Sequence, residues 1–348
     1  MQDLFPSSAA GRFGRRQKRE RGARIPVTVV TGFLGVGKTT LVKRFLETEE
    51  GHGTAVVVNE FGEAGIDDAL LRDSAETTTL LGNGCICCNF RSDLEVTLHR
   101  LVADRERGVI PHFRRVVIET SGLADPSPIL TTFATDRALG AEFFVETMMA
   151  VVAACDGADT IARFVEARRQ LVLADRVVVS KTDLADTETA QALHRRLGEI
   201  NPRAERATVV AGALDPGWFT ERASSGGAPG FFAEGALGRE VEHTDDIVSF
   251  TLTESAPIAW EPFARAMEAL IALRGADLLR VKGILDVAGC AGPVVVQFVQ
   301  HLAHPPIEME TWPDAARQSR LVFITRGIGE CEVKTLFAAV KALAVRAS

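Results

Sequence analysis

The sequence has little of what marks a membrane or secreted protein. It contains no run of about 18 apolar residues, which excludes a membrane-spanning helix. No apolar stretch follows the first charged residues, so we expect no signal peptide and a cytoplasmic location. Six cysteines in 348 residues are too few for a disulfide framework and indicate a reducing compartment.

An excess of basic charge is also missing. Lys and Arg total 39 against 46 Asp and Glu, which gives a net charge of −7. Residues 1–24 have a net charge of +5 and the rest of the chain has a net charge of −12. The acidic charge of residues 25–348 argues against a nucleic-acid-binding protein. The segment 1–24 is expected to be a disordered basic tail. A contact for an acidic partner and a transit peptide are the alternatives.

The chain does have enough length and apolar content, 46%, for two folded domains. In its N-terminal part, short β-branched runs alternate with helix-like segments, which predicts parallel βαβ units in a doubly wound, mostly parallel α/β sheet. Strands are predicted at 26–31, 54–58, 115–119, 148–154, 176–180 and 207–210, and helices at 39–48, 92–107, 128–135, 158–173 and 187–200.

Small residues and helix breakers at 223–235 interrupt this pattern and indicate a linker. Beyond them we predict a smaller α+β domain with a largely antiparallel sheet. Its strands are predicted at 246–253, 278–287, 293–301 and 320–325, and its helices at 261–273 and 332–345. The predicted organisation is a tail at 1–24, an α/β domain at 25–222, a linker at 223–242 and a C-terminal domain at 243–348.

The segment GFLGVGKT, residues 32–39, lies between a predicted strand and a predicted helix. Two glycines separated by four residues, then Lys and a hydroxyl residue, form the phosphate-loop pattern. Its backbone N–H groups would face nucleotide phosphates, Lys38 would contact the β- and γ-phosphates, and Thr39 would bind Mg²⁺. The predicted phosphate-binding residues are Gly32, Gly35, Val36, Gly37, Lys38, Thr39 and Thr40.

A second candidate element is the apolar strand that ends in Glu119 and is followed by a small turn through Gly122. A carboxylate at a strand tip beside the phosphate loop can hold the magnesium shell or the attacking water. The Gly122 N–H could sense the γ-phosphate. Lys38, Glu119 and Gly122 are therefore the predicted catalytic residues, with a solvated strand end as the alternative for Glu119.

The segment SKTD, residues 180–183, resembles the Asn-Lys-x-Asp signature with which GTPases recognise guanine. Asp183 can accept hydrogen bonds from the guanine N1–H and the exocyclic amino group, which adenine cannot offer together. Lys181 can lay its stem on the ring. Ser180 occupies the position where Asn is usual. The sequence therefore does not establish one polar contact of this motif or all of the contacts that stabilise its loop. Ser180, Lys181 and Asp183 complete the predicted GTP site.

Three cysteines crowd into GNGCICC, residues 82–88, between the phosphate-loop helix and the strand of Glu119. We predict a switch-like loop in which Cys85, Cys87 and Cys88 supply two or three soft ligands to zinc or cobalt. Buried apolar thiols, a redox pair and a closed structural zinc site are the alternatives. The other cysteines are expected to be packing residues: Cys155, Cys290 and Cys331.

Taken together, these motifs resemble the CobW family of P-loop GTPases, which belong to the SIMIBI class and are proposed metallochaperones. The resemblance is carried by GFLGVGKTT (32–40), VNEFGEAGID (58–67), GNGCICC (82–88), ETSGLADP (119–126) and SKTD (180–183). The runs LRVKGI (279–284), VQHL (299–302) and SRLVFI (319–324) are similar to the CobW C-terminal domain.

The resemblance implies a P-loop NTPase fold with GTP and Mg²⁺ as cofactors. It places Glu60 and Glu63 in a switch segment near the magnesium site and the Cys motif. Glu63 would join Cys87 as a metal ligand, with Cys85 or Cys88 completing the set; solvated loop charges are the alternative for the two glutamates. The predicted metal-binding residues are Thr39, Glu60, Glu63, Cys85, Cys87 and Cys88.

The implied function is that of a slow GTPase that couples GTP to the transfer of zinc or cobalt to a client metalloprotein. A homo-oligomer is left open, and neither a membrane nor a nucleic acid is expected as a partner. Two other functions stay open: a metal-responsive GTP-binding regulatory module, and a P-loop ATPase or kinase that acts on a small substrate.

Overall fold

Where the structure describes the chain, its strands form two separate sheets, each with its own helices. The computed structural model describes residues 24–59, 78–80, 86–90, 94–136, 138–220, 241–242, 247–300, 302–303, 306–309, 311–312 and 317–345. One unit spans Arg24–Arg222 and the other includes the chain from Ala223 onward. The predicted tail, except Arg24, and nearly all of the predicted linker lie outside the described residues, so the domain boundaries stay a prediction.

The first unit alternates strands and helices as the sequence predicts. Its elements are β1 (Ile25–Gly32), α1 (Lys38–Leu46), β2 (Thr54–Asn59), β3 (Thr78–Leu80), β4 (Ile86–Phe90), α2 (Leu94–Glu106), β5 (Arg115–Thr120), α3 (Ser127–Thr135), α4 (Leu139–Glu142), β6 (Phe143–Ala153), α5 (Gly157–Arg163), α6 (Val165–Val172), β7 (Arg176–Ser180), α7 (Thr187–Ile200) and β8 (Glu205–Thr208).

Within the described residues, the strand order of this unit is β3-β4-β2-β5-β1-β6-β7-β8. Neighbouring strands are parallel except β3 and β4, which are antiparallel. Residues such as Val27, Val29, Val117 and Ile118 are fully buried. Helices cover both faces of such a sheet, so its strands are continuous apolar runs, and this confirms the predicted α/β fold.

The carboxyl ends of the parallel strands lie along one edge of this sheet, which is where open α/β sheets bind ligands. Gly32 ends β1, Thr120 ends β5 and Ser180 ends β7. The phosphate-loop, carboxylate and base-recognition motifs therefore share one edge.

Two local predictions in this unit are wrong. The predicted helix 158–173 is two helices, because Phe164 is extended (φ −113°, ψ 122°) between α5 and α6, and its ring packs 4.5 Å from that of Phe33. The predicted loop around the cysteines is partly a strand, because residues 86–90 pair along β2, from Ala55 opposite Ile86 to Asn59 opposite Phe90.

In the described residues, the second unit is an antiparallel sheet with two α-helices. Its elements are β9 (Val241–Glu242), β10 (Ile247–Glu254), α8 (Trp260–Arg274), β11 (Leu278–Leu285), β12 (Val294–Val299), β13 (Leu302–Ala303), β14 (Ile307–Glu308), β15 (Ser319–Arg326) and α9 (Glu330–Val345). The described strands follow the order β13-β12-β11-β15-β10-β9, with β14 also paired to β12. This confirms the predicted α+β domain.

None of the helices in the described part of the chain combines the length and the apolar character of a membrane span.

The packing role expected for three cysteines is wrong for two of them, because Cys155 and Cys331 are exposed. Cys290 is partly buried against the core of the second unit.

Candidate functional site

The phosphate loop begins where β1 ends and closes where α1 begins. Gly32 has φ 140°, and a Cβ at this position would lie 2.3 Å from the carbonyl oxygen of Val151, so only glycine fits. The buried Lys38 ammonium donates to the carbonyl oxygens of Gly32 at 2.8 Å and Phe33 at 3.0 Å. These bonds hold a positive charge inside the loop.

The structure brings together Thr39 and Glu119, which are 80 residues apart in sequence. The Thr39 hydroxyl donates to Oε1 of Glu119 at 2.5 Å, and Glu119 is only 5% exposed. The Ser121 hydroxyl, two residues further on, is buried and has no hydrogen-bond partner in the described part of the chain. The solvated strand end is thus wrong for Glu119, and two hard oxygen donors, those of Thr39 and Glu119, meet at the phosphate loop.

The turn after β5 lies directly against the phosphate loop. A Cβ on Gly122 would lie 2.6 Å from the backbone nitrogen of Leu34, so any larger residue would push the two segments apart. The fully buried Gln170 of α6 fixes this turn, because its amide Nε2 donates to the carbonyl oxygens of Gly122 at 3.2 Å and Ala124 at 3.0 Å. The sequence analysis did not identify Gln170, because no motif around residue 170 indicates a hydrogen bond to Gly122, which is 48 residues away in the sequence.

The base-recognition segment is joined to the phosphate loop through Ser180. Its hydroxyl donates to the carbonyl oxygen of Val36 at 2.6 Å. Ser180 therefore still stabilises this loop by a hydrogen bond, although it replaces the usual Asn. Lys181 adopts a left-handed conformation (φ 54°), and the Asp183 side chain that follows is exposed. An exposed carboxylate can accept hydrogen bonds from a ligand without breaking an internal network.

A neighbouring loop, residues 209–212, was also missed. The Thr182 hydroxyl donates to the carbonyl oxygen of Val209 at 3.4 Å. Ala211 and Gly212 both have positive φ, and a Cβ on Gly212 would lie 3.3 Å from the side chain of Thr40. The loop therefore lies between the base-recognition segment and α1. Its sequence signal, Ala-Gly after a strand, is too common to identify a site.

The predicted zinc or cobalt ligands are only partly placed. Glu60, Glu63 and Cys85 lie outside the described residues. Cys87 and Cys88 belong to β4, where they pair in register with Val56 and Val57 of β2. The ligand set therefore stays a prediction.

Comparison with known proteins agrees with these features. Residues 26–208 match the model of the CobW/HypB/UreG nucleotide-binding domain. The chain belongs to the CobW/HypB/UreG family. Residues 247–341 match the C-terminal domain of the cobalamin synthesis protein cobW. Both matches confirm the resemblance inferred from the sequence motifs.

Two curated CobW-type relatives are similar over almost their whole length. The zinc chaperone YjiA of Escherichia coli (strain K12) is 35% identical over 324 residues, which cover 91% of this chain and 99% of YjiA. The zinc chaperone CobW of Sinorhizobium sp. is 30% identical over 363 residues, 93% of this chain and 99% of the relative. The crystal structure of the Zn(II)-bound E. coli YjiA GTPase matches with a TM-score of 0.64 at 35% identity, over 91% of this chain and 99% of that one.

Proposed function

We propose that this protein is a GTP-hydrolysing metallochaperone that binds zinc or cobalt at its Cys-x-Cys-Cys motif and delivers the metal to a client metalloprotein. One observation carries the proposal: the strand of the cysteines and the strand of Glu119 flank the same strand, β2, in the order β4-β2-β5. Two strand spacings amount to roughly 10 Å. The names of the relatives, a zinc chaperone and a Zn(II)-bound GTPase, support the choice of metal.

The nucleotide is GTP in this proposal. The backbone of residues 32–40 surrounds the phosphates. When GTP binds, the Lys38 ammonium gives up its hydrogen bonds to the loop carbonyl oxygens and donates to the β- and γ-phosphates instead. Asp183 accepts from the guanine edge while Lys181 covers the base. Ser180 holds the base-recognition segment against the phosphate loop through Val36.

Mg²⁺ fits the residues at the phosphate end. The Thr39 hydroxyl and the buried Glu119 carboxylate are hard oxygen donors 2.5 Å apart, and the orphaned Ser121 hydroxyl lies two residues from Glu119. Thr39 would bind the ion, and Glu119 would hold its water shell or the attacking water. When bound, Mg²⁺ neutralises phosphate charge. Gly122 would donate its N–H to the γ-phosphate from its position beside Leu34.

Coupling between nucleotide and metal would run through the segment after β2. Glu60 follows the last residue of β2, Asn59, which pairs with Phe90 of β4 on one side and Thr120 of β5 on the other. The residues that follow Asn59 in the chain are therefore joined to a strand that borders both sites. Glu63 would join Cys87 on the metal, with Cys85 or Cys88, and GTP would change this set. Since Cys87 and Cys88 lie in a strand, the change would occur around them.

The test is the rate at which the purified full-length protein, loaded with zinc, releases it to a colorimetric chelator. We expect GTP with Mg²⁺ to change this rate relative to GDP with Mg²⁺. Lys38→Ala should abolish the nucleotide dependence, and the matched control Lys43→Ala, an exposed residue of the same helix, should preserve it. Equal release rates with GTP and GDP would contradict the proposal.

Two other functions are separated by related measurements. A regulatory module that needs no hydrolysis should keep its metal and partner binding in Lys38→Ala. A P-loop ATPase or kinase should let ATP displace GTP in a competition assay, whereas the exposed Asp183 favours guanine because adenine lacks the two donors.

A further inference from the structure

A second group of metal-ligating side chains is formed by α2 and the end of α3. Glu95 and His99 belong to α2, and Asp136 follows the last residue of α3. Their ligand atoms all lie within 4.8 Å of one another, and Nε2 of His99 is 2.5 Å from Oδ2 of Asp136. We call this group the α2–α3 cluster.

Helix α2 presents two members of the cluster on one face. Glu95 and His99 are four residues apart, and side chains at that spacing are neighbours on a helix surface. Thr97, Leu98 and Leu101 are buried and fix the rotation of the helix, whereas Glu95 and His99 are exposed. The sheet-facing side chains therefore hold the pair toward solvent, where a cation can reach it.

Asp136 is held in place by the chain that follows it. Its Oδ1 accepts from the backbone N–H groups of Ala138 at 2.8 Å and Leu139 at 3.0 Å. Those bonds leave Oδ2 directed at His99. A ligand whose second oxygen is fixed by backbone donors loses little freedom when it binds a metal.

The ion pair of His99 and Asp136 has a further possible metal ligand beside it. His99 and Asp136 need no further carboxylate to form their pair, yet Glu95 also lies within 4.8 Å. Two carboxylates this close repel each other, and a divalent cation between them would reverse that effect.

We propose that the α2–α3 cluster is a second metal site, which takes a divalent first-row transition ion with Zn²⁺ as the leading candidate. One imidazole nitrogen and two carboxylate oxygens are a ligand set that suits Zn²⁺. Three protein ligands at an exposed position leave the rest of the coordination shell to water. The site differs in chemistry from the thiolate set of the Cys motif and does not require a nucleotide.

The test uses the full-length chain with the Cys motif removed by Cys85→Ser, Cys87→Ser and Cys88→Ser. Equilibrium dialysis against ZnCl₂ without nucleotide should still show one zinc per chain. Adding His99→Ala should weaken this zinc binding at least about tenfold. Adding His112→Ala instead, at an exposed histidine outside the cluster, should leave it unchanged.

A further variant separates metal binding from the ion pair. Glu95→Gln keeps His99 and Asp136 intact, so it should weaken zinc binding while the zinc-free protein still folds, which thermal unfolding checks. With all cysteines present, Glu95→Gln and His99→Ala should each lower the zinc stoichiometry by one, which covers the case that the Cys-free chain does not fold. A Cys-free chain that folds but binds no zinc would overturn the proposal, as would zinc binding unaffected by both substitutions.

Discussion

The phosphate end and the base end of the nucleotide site are built differently. At the phosphate end, Lys38 is 8% exposed and Glu119 is 5% exposed, and each is hydrogen-bonded within the protein. At the base end, Asp183 is exposed and follows a residue in a left-handed conformation, Lys181. Ser180 joins the two ends through its bond to the loop carbonyl of Val36.

The phosphate end should therefore set the affinity for nucleotides, and the base end should set the selectivity for guanine. Buried polar groups that are already paired make the phosphate end rigid before the nucleotide arrives, so substitutions there that remove a hydrogen-bond partner should affect the fold as well as binding or hydrolysis. Exposed groups at the base end gain partners only when a base binds. Substitutions at the base end should change the choice of nucleotide and leave the fold intact.

The largest effect is expected for Lys38→Ala. Two charge-assisted contacts to phosphate of about 2 kcal/mol each would be lost, which corresponds to roughly a 1000-fold weaker affinity for GTP. Titration with a fluorescent GTP analogue measures this loss, and Lys43→Ala is the matched control. An affinity within a few-fold of the wild-type value would mean that the phosphate end does not carry the binding energy.

A smaller effect is expected for Glu119→Gln, and it should fall on hydrolysis. The amide keeps an acceptor for the Thr39 hydroxyl but removes the negative charge, so GTP should still bind. Single-turnover phosphate release should slow by about 100-fold. Glu199→Gln, at an exposed residue of α7, is the control. Unchanged hydrolysis would remove Glu119 from the catalytic residues.

Asp183→Asn tests the base end alone. The amide oxygen can still accept one guanine hydrogen bond, but its N–H₂ would face a donor, so the affinity for GTP should fall by about 30-fold. Xanthosine triphosphate, which has an oxygen in place of the amino group, should bind better than to the wild-type protein. Competition binding checks both effects. A parallel loss for every nucleotide would show that Asp183 does not select the base.

The smallest effect is expected for Ser180→Ala, which removes the link between the two ends. Loss of one buried hydrogen bond should lower the free energy of unfolding by about 1 kcal/mol and weaken GTP binding by about fivefold. Ser180→Asn restores a donor and should keep the affinity near the wild-type value. Denaturant unfolding and GTP titration check the pair, and identical behaviour of both variants would show that the brace has no role.

Sequence reasoning succeeded where the chemistry is local. The phosphate loop lies in one continuous segment between a strand and a helix, so its pattern identified both the fold and Lys38. The position of Glu119 beside the phosphate loop followed from a general rule, because strand ends meet at one edge of a parallel sheet. These features need no knowledge of distant side chains.

The sequence was insufficient where a distant partner decides the outcome. Glycines and thiols around Cys87 suggested a loop, but pairing with β2 places this residue in a strand. The helical pattern of residues 158–173 does not reveal that Phe164 is extended and packs on Phe33. Asp136 is 37 residues from His99, so the α2–α3 cluster is visible only in three dimensions.

Equilibrium zinc affinity in two nucleotide states decides whether nucleotide and metal binding are coupled. Competition with a fluorescent zinc chelator would be measured for the full-length protein bound to a non-hydrolysable GTP analogue and to GDP, both with Mg²⁺. Coupling between two binding sites is reciprocal. If the nucleotide changes the zinc affinity tenfold, about 1.4 kcal/mol, zinc must change the ratio of the affinities for the GTP analogue and GDP by the same factor. We expect a difference of this size that disappears in Cys87→Ser. Equal zinc affinities in the two nucleotide states would contradict the account.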